Sequence, residues 1–540
     1  MVQNLKQFLF QILALSAILV LFLVLVMHGY YGSEGPDEYY YSILSYDLET
    51  HGFLSLVGMG IDSLKYLVFS GTAVFFKIFG ASTFTEVLYN IILYGASISM
   101  LFLLGRKLHS PQAGLLAALF YSEFPTGINQ VASGGDDIAM AFFAILSILL
   151  FVYAIKTKNK NLNYTLMFLT GFTASIGILS VAEEILILLP ILIALAYFMS
   201  KKEGRPYFAK GMLFAIAGIL AAIIVILGFG SLAYGKPMYV PMGLLTNYSG
   251  GSSTSLLYGF HLYLQYMFPV NGPFENIYLI ETGGYFLVFI VTLLIAIAYK
   301  DRNASIPALW FISVFLYLSF GTMNLTHYIQ IDWGIPLLRY LMVIVPATVL
   351  IMGIGLADLV WGKPTKGKRK KASNGNRKKK PYLYIKEATL IILLAFFTIS
   401  NINYINTIKL SMYSYAYPFY NLGEFIDTLP AGSSIVVAQG FLSGPNFLFL
   451  LVPYTDYQYN FTVSSNEINC TTLNRYDYVL SVNKTLQQEC NMHPIFTVGP
   501  YPTYLRKYDI LAQSYSIFSR NSTLLTESYN FTYYVYKARG

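Results

Sequence analysis

Long apolar runs separated by short polar segments fill most of residues 1–404. An apolar run of about 17–25 residues can cross the ~30 Å hydrocarbon core of a membrane as a helix. This pattern predicts an α-helical polytopic membrane protein with about eleven transmembrane helices. The eleven runs, of which the third is short, lie at residues 8–28, 86–104, 111–125, 137–155, 164–181, 185–200, 209–231, 284–299, 305–322, 339–360 and 386–404.

The first apolar run has two interpretations, a cleaved signal peptide or a retained helix. The apolar core of a secretory signal has about 7–15 residues, whereas the run from Phe8 to Met27 is long enough to cross a membrane. The residues that follow it include Tyr30 and Tyr31 and give no small-residue cleavage pattern. We therefore expect a retained first transmembrane helix.

The amino-acid composition supports burial in lipid. Hydrophobic residues make up 56% of the chain and charged residues 11%, against roughly 25% charged residues in an average soluble domain. So few charges cannot solvate a globule of this size. Lipid is therefore expected to cover much of the surface.

Lysine and arginine residues indicate which connections between the runs face the cytoplasm. Short cytoplasmic loops are enriched in these residues. Their alternation predicts a cytoplasmic N-terminus, and an odd number of spans then places the C-terminus outside. The lysine and arginine residues lie before the first run and in every second connection between runs. They are Lys6, Arg106, Lys107, Lys156, Lys158, Lys160, Lys201, Lys202, Arg205, Lys300, Arg302 and those within residues 361–385.

The net charge of +8 comes from one cytoplasmic loop, residues 361–385. The segment 363–380 holds ten basic residues and no acidic residue, and the rest of the chain is slightly negative. The charge therefore gives no indication of a nucleic-acid partner. A block of like charge is usually solvated, and binding of this loop to anionic lipid is a second interpretation.

Two long outer segments, 29–85 and 232–283, interrupt the predicted transmembrane module at residues 1–404. The first contains an apolar stretch at 66–79 that is too short to span a membrane, and we interpret it as a helix lying in the interface. The second is rich in Gly, Ser and Tyr and has no period. It is typical of a loop.

Residues 405–540 are predicted to form an extracytoplasmic domain. Turn residues separate a helical pattern from short strand patterns, as in a small α/β domain. The helix is expected at 421–429 and the strands near 434–438, 476–482 and 532–536.

Glycosylation sequons and cysteines support an extracytoplasmic tail. Cys470 and Cys490 are the only cysteines, and they are expected to form a disulfide in an oxidising compartment, with two free thiols as the alternative. Asn163 and Asn303 lie in sequons on the predicted inner side and should be unused. Seven further sequons fall outside, at Asn247, Asn324, Asn460, Asn469, Asn483, Asn521 and Asn530.

Several charged residues are predicted to lie at the outer membrane surface, where charge is costly and often functional. Two acid pairs, each preceded by glycine, stand out as candidates for a site. The full set is Asp37, Glu38, Lys65, Asp136, Asp137, Glu183, Glu184, His327 and Arg339.

Each of these residues also has a structural interpretation. Asp37 and Asp136 have the character of helix N-caps, and Arg339 that of a side chain reaching the membrane surface. Lys65 fits a residue that flanks an amphipathic helix without further role, His327 fits a surface loop, and the glutamate pair fits a polar turn. The convergence of the acid pairs at one surface favours a site.

The candidate residues suit transfer from a lipid-phosphate donor. The chain has no phosphate-binding loop, dinucleotide-binding fingerprint, zinc-ligand spacing or Gly-x-Ser-x-Gly motif. A carboxylate can act as general base on an acceptor hydroxyl. Arginine and lysine can hold a departing phosphate, and a divalent metal at the acidic site is a candidate cofactor.

The chain resembles the GT-C superfamily of polyprenyl-phosphate-sugar-dependent glycosyltransferases, nearest to the protein O-mannosyltransferase and aminoarabinose transferase group. The resemblance covers residues 8–155 best and 337–440 more loosely. Trp-Trp-Asp motifs of oligosaccharyltransferases are absent, so en-bloc transfer of an N-glycan is not expected. The resemblance is carried by Gly35-Pro36-Asp37-Glu38-Tyr39-Tyr40, Phe76-Lys77-Ile78-Phe79-Gly80-Ala81-Ser82, Leu103-Leu104-Gly105-Arg106-Lys107-Leu108, Asp136-Asp137-Ile138-Ala139, Arg339-Tyr340-Leu341 with Val345-Pro346, and Leu422-Gly423-Glu424-Phe425-Ile426.

The resemblance implies a role for each of these residues. Asp37 would be the main catalytic carboxylate, assisted by Glu38. Asp136 or Asp137 would be the second acidic residue. Lys65 and Arg339 would contact the donor phosphate, and Glu183, Glu184 and His327 are candidates for substrate binding.

The sequence thus predicts a membrane glycosyltransferase with a polyprenyl-phosphate sugar donor of the dolichyl-phosphate-mannose type and a protein, glycan or lipid acceptor. A transporter or flippase of a lipid-linked sugar is the alternative, but it would place charges in the middle of helices and give repeated halves. A non-catalytic surface protein is a third interpretation, in which the pairs beginning at Asp37 and Asp136 are caps only.

Overall fold

The computed structural model is mainly a bundle of helices followed by a small β-sheet. Its apolar core joins nearly all of the long helices. The structure describes residues 2–30, 36–52, 61–135, 137–180, 187–188, 190–194, 205–238, 264, 267, 284–299, 304–320, 338–362, 381–437, 460–463, 470–473, 475–481, 486, 490–498 and 532–538.

The helices follow the apolar runs closely. They are α1 (Val2–Gly29), α2 (Pro36–His51), α3 (Tyr66–Phe79), α4 (Thr83–Leu108), α5 (Pro111–Ser122), α6 (Pro125–Ser133), α7 (Asp137–Lys156), α8 (Lys160–Ile176), α9 (Arg205–Tyr234), α10 (Tyr285–Ala298), α11 (Ser305–Phe320), α12 (Val345–Trp361), α13 (Pro381–Ile426) and the single turn α14 (Cys470–Leu473). A 3-10 segment, Leu338–Val343, precedes α12, and others lie at Ile61–Leu64 and Gly177–Leu179.

The predicted α-helical membrane fold is confirmed. Among the described residues, six helices are long and apolar enough to cross a membrane alone. Four shorter apolar helices, α3, α10, α11 and α12, accompany them. Most of the predicted span 185–200 lies outside the described residues.

The third predicted span, 111–125, is wrong as a single helix. Helix α5 ends at Ser122, and α6 begins at Pro125. Phe124 between them is extended, with φ −66° and ψ 117°, because the residue before a proline is driven out of the helical region. The chain therefore turns where the hydropathy pattern showed one continuous run.

Glycines let α8 and α9 pack backbone to backbone. A Cβ on Gly171 would overlap the carbonyl oxygen of Ala215, and one on Gly218 would overlap that of Phe168. Small residues allow such close approach between membrane helices. Gly228, further along α9, has no atom within 4 Å of its hypothetical Cβ.

Replacing Gly218 with valine is expected to lower the free energy of unfolding by about 1–3 kcal/mol, as overpacking of a tight interior does. The measurement is unfolding of the purified protein in detergent. Gly228→Val is the matched control, because it makes the same change in the same helix without a clash. Equal stability of the two variants would contradict the close α8–α9 contact.

Basic side chains gather at one end of the bundle. Lys156 Nζ donates to the carbonyl oxygen of Lys107, whose own ammonium lies 4.7 Å from the centre of the Tyr153 ring. Lys386, at the start of α13, donates to the carbonyl oxygen of Leu359 at 3.0 Å. Three of the connections that the sequence assigned to one side of the membrane, those around Lys107, Lys156 and Lys386, therefore lie at one end.

A buried histidine–aspartate pair lies at the same end. His109 Nε2 is 3.0 Å from Asp358 Oδ1, and both side chains are almost fully shielded from water. His109 follows α4, and Asp358 lies in the last turn of α12. The pair therefore ties two helices that are 249 residues apart in sequence.

Helix α13 is longer than predicted and leads into the C-terminal sheet. It has 46 residues, which corresponds to about 69 Å at the rise of an α-helix. The helix predicted separately at 421–429 is the end of this helix. Phe425 stacks on Phe496 with ring centroids 4.1 Å apart, so the helix end packs against the sheet.

The sheet contains β1 (Ser434–Val437), β2 (Asn460–Val463), β3 (Tyr478–Ser481), β4 (Pro494–Val498) and β5 (Tyr533–Lys537) in the order β2-β1-β3-β5-β4. Strand β1 is parallel to β2 and β3, while β5 is antiparallel to β3 and β4. The three predicted strands are therefore confirmed, and the small α/β character with them.

Cys470 and Cys490 form the predicted disulfide. It joins α14 to the segment before β4. Asn163, the inner sequon among the described residues, is fully buried and donates through Nδ2 to the carbonyl oxygen of Ala154 at 2.7 Å. Its side chain is therefore not accessible for glycan attachment, in agreement with the prediction that it is unused.

Candidate functional site

The end of the bundle opposite the basic residues gathers the candidate site elements. Ser63 Oγ lies 3.3 Å from the hydroxyl of Tyr234 at the end of α9. Leu64 packs with Ile178 and Leu179 beyond the end of α8. The start of α3 therefore meets the C-terminal ends of α8 and α9, as expected if all three lie at the outer surface.

Lys65 is buried directly before α3. Its side chain is 6% exposed, and Nζ donates to the hydroxyl of Tyr41 at 2.6 Å. The ammonium also lies 5.3 Å from the centre of the Tyr41 ring. A buried ammonium held on an aromatic ring is an unusual arrangement for a helix flank, and it joins this cation to α2.

Helices α2 and α3 are locked together by Ser45. Its hydroxyl lies 2.7 Å from the carbonyl oxygen of Tyr41 and 3.0 Å from that of Phe69. Tyr41, Leu44 and Phe69 are buried in the contact. The helix that carries Asp37 is therefore fixed relative to Lys65.

Asp37 and Glu38 lie in the first turn of α2. The helix begins at Pro36, a residue favoured at the first helical position. Asp37 is the second residue of the helix and therefore not its N-cap, so the capping interpretation of Asp37 is wrong. The side chains of both acids lie outside the described residues.

The corner between α6 and α7 is built from two glycines. Gly134 ends α6 in the left-handed region with φ +87°, a conformation that favours glycine. A Cβ on Gly135 would overlap the side-chain oxygen of Gln130. The Gly-Gly pair is thus required by the turn that delivers the next two residues.

Asp137 opens α7 at this corner and is completely buried. Asp136 lies outside the described residues. A buried carboxylate at a helix start benefits from the positive end of the helix dipole. Burial and dipole together make Asp137 a positioned acidic group at this end of the bundle.

Two polar residues that the sequence analysis missed face the corner from α4. Glu86 and Asn90 are 4% and 5% exposed, and Asn90 Nδ2 donates to the carbonyl oxygen of Gly135 at 2.8 Å. Their spacing of four residues places them on one face of the helix. That spacing, within an apolar helix, was the available signal.

The 3-10 segment that contains Arg339 packs against α6 and α7. Its following residues Leu341, Met342 and Val343 are buried. Arg339 therefore belongs to a segment that contacts both helices joined by the Gly134–Asp137 corner, while its side chain lies outside the described residues. Glu183, Glu184 and His327 also lie outside them.

A chain of packed elements connects the candidates. Helix α2 packs on α3, α3 on α4, and α4 on both α6 and α7. Within the described ranges, no group of three or more His, Cys, Asp or Glu side chains could hold a metal ion. Asp136 and the side chains of Asp37 and Glu38 lie outside those ranges, so a metal at the acidic site stays a prediction.

Comparison with known proteins identifies the fold. Residues 67–229 match the family described as dolichyl-phosphate-mannose-protein mannosyltransferase. Over 147 residues the chain is 25% identical to the undecaprenyl phosphate-alpha-4-amino-4-deoxy-L-arabinose arabinosyl transferase of Pseudomonas aeruginosa. That match covers 27% of each chain, so the chain spans about a quarter of the length of the curated relatives that it matches.

The structural similarity extends over almost the whole chain. ArnT from Cupriavidus metallidurans in the apo state has a TM-score of 0.58 and 11% identity, covering 89% of this chain and 95% of that one. The same protein bound to undecaprenyl phosphate has a TM-score of 0.59 and 12% identity, with coverages of 90% and 96%. The predicted resemblance to the GT-C superfamily is confirmed at the level of the fold, and the chain is an integral membrane protein.

Proposed function

We propose that this chain is a membrane glycosyltransferase that takes a sugar from a polyprenyl-phosphate donor and passes it to a protein, glycan or lipid acceptor. The observation that supports the proposal is that a buried lysine, an acid-bearing helix start and a buried aspartate lie on successively packed helices at one end of an ArnT-like fold. The family and relatives that the chain matches are named for sugar transfer from lipid phosphates.

In the proposed reaction Asp37 is the general base. Its carboxylate takes the proton of an acceptor hydroxyl, and the acceptor oxygen forms a bond to the anomeric carbon of the donor sugar. The bond from that carbon to the phosphate oxygen breaks, and the electron pair leaves with the polyprenyl phosphate. Glu38 assists Asp37, and Asp136 or Asp137 holds the sugar.

Lys65 and Arg339 stabilise the leaving phosphate. Charge builds up on the phosphate oxygens as the bond breaks, and fixed cations lower the energy of that state. Lys65 is already fixed by Tyr41, so little reorganisation is needed when charge develops. Glu183, Glu184 and His327 complete the substrate contacts in this proposal.

The proposed topology places this end of the bundle on the extracytoplasmic side. The N-terminus and the basic loop 361–385 are then cytoplasmic, following the enrichment of Lys and Arg in cytoplasmic loops. The transmembrane module spans 1–404 and the outer domain 405–540, with α13 running through the boundary.

The role of Lys65 is tested by binding of undecaprenyl phosphate to Lys65→Met. Loss of one hydrogen bond to a charged group costs roughly 1.5–3 kcal/mol, so Kd should rise about 10- to 100-fold. The measurement is stabilisation of the purified protein against thermal unfolding over a series of lipid concentrations.

Lys77→Met is the matched control, because Lys77 lies in α3, the helix that Lys65 directly precedes, but is exposed. Its Kd should equal that of the wild type. Equal Kd values for Lys65→Met and wild type would remove Lys65 from the phosphate site.

A further inference from the structure

The polar face at the start of α4 has no part in the proposed chemistry, yet it is buried and ordered against the site. Glu86 and Asn90 are separated by one turn in a helix whose other buried positions are mostly apolar. Buried polar groups are costly unless they make specific bonds. The hydrogen bonds and packing contacts of Glu86 and Asn90 therefore indicate the role of this face.

Asn90 holds the backbone directly before the acid pair. Its amide donates to the carbonyl oxygen of Gly135 at 2.8 Å, while the N–H of Gly135 donates to the carbonyl oxygen of Gln130 at 2.7 Å. The backbone N–H and carbonyl oxygen of Gly135 are thus held by two different helices, α6 and α4. The next two residues along the chain are Asp136 and Asp137.

Glu86 packs against the same corner. A Cβ added to Gly134 would lie 3.4 Å from Glu86 Oε1, so the glutamate side chain lies against the glycine. Gln130 occupies the other side, where it leaves no room for a side chain on Gly135. The corner is therefore enclosed by Glu86, Asn90 and Gln130.

We propose that Asn90 is a positioning residue for transfer: through its bond to Gly135 it fixes the backbone at the corner before α7 and so sets the place of the buried Asp137 carboxylate. This inference rests on the proposed function. A catalytic group must be held within about 0.5 Å of its productive position, and a misplacement of 1 Å costs about 100-fold in rate. A glycine pair alone does not supply such rigidity, since glycine has the freest backbone.

The test compares Asn90→Leu with Asn163→Leu. Both changes remove a buried amide that donates to a backbone carbonyl, at 2.8 Å and 2.7 Å, and neither adds charge. Asn163 lies at the opposite end of the bundle, next to the end of α7. The two variants should lose similar thermal stability. A difference in kcat between them therefore reports the position of the acidic group and not a general loss of folding.

For Asn90→Leu we expect kcat for sugar transfer to fall about 10- to 100-fold, with the donor KM changed less than about twofold. Hydrogen–deuterium exchange in peptides covering residues 131–140 should become at least about tenfold faster, because the opening free energy of the corner falls. Asn163→Leu should show neither change. Asn90→Ser, which shortens the side chain but keeps it polar, serves if the leucine variant does not fold.

Unchanged exchange at residues 131–140 in the Asn90 variants overturns the inference, as does an equal loss of kcat in Asn90→Leu and Asn163→Leu. The exchange measurement needs no substrate. If the wild type transfers no sugar from any polyprenyl-phosphate donor, the proposed function fails, and faster exchange at the corner still supports the role of Asn90 in holding it.

Discussion

Replacing Asp37 with asparagine is expected to lower sugar transfer by about 100- to 10,000-fold, the usual contribution of a general base. Asparagine has the shape of aspartate but cannot take a proton from the acceptor. The donor KM should change little, because the phosphate contacts belong to other residues. The measurement is transfer of labelled sugar by purified protein at saturating donor.

Asp47→Asn is the matched control for this experiment. Asp47 lies in the same helix, ten residues further along, and pairs with His51 at 3.5 Å away from the helix start. Its activity should equal that of the wild type. If Asp37→Asn retained most of its activity while it folded normally, the general base would have to be sought at Asp136 or Asp137.

Replacing His109 with alanine is expected to lower the free energy of unfolding by about 3–5 kcal/mol, because it leaves the buried Asp358 carboxylate without its partner. The Asp358 carboxylate would lose its bond to the imidazole in a place that water does not reach. Melting of the detergent-solubilised variant measures the loss.

His51→Ala provides the comparison, because the His51–Asp47 pair has the same residue types but a histidine side chain that is 66% exposed. Pairs of that kind contribute about 0–1 kcal/mol. Similar melting temperatures for the two alanine variants would show that the His109–Asp358 pair does not hold α4 to α12.

The membrane fold could be predicted from the sequence because burial in lipid demands long apolar helices. The α5–α6 break falls at the end of an apolar run that is long enough to suggest one short span. Glu123 and Pro125 were the signals in the sequence that the helix ends there. The length of α13 could not be predicted, because the polar residues after 404 suit a helix that leaves the membrane as well as they suit a loop.

The candidate site could be predicted only in part. Charged residues near helix ends are conspicuous in an apolar chain, so Lys65 and Asp137 were found from position alone. Asn90 is uncharged and sits inside a predicted span, where its spacing of four residues from Glu86 is the only mark in the sequence. Its contact with Gly135 joins residues 45 positions apart and arises only when α4 and the α6–α7 corner have packed together.

We propose that this chain catalyses transfer of a sugar and does not merely move a lipid-linked sugar across the membrane. The most direct measurement follows purified protein in liposomes with a polyprenyl-phosphate sugar, recording both glycosylated acceptor and free polyprenyl phosphate. We predict that the two products appear in equal amounts and that Asp37→Asn forms both about 100- to 10,000-fold more slowly. Movement of the intact lipid-linked sugar across the bilayer, without release of polyprenyl phosphate, would contradict this account.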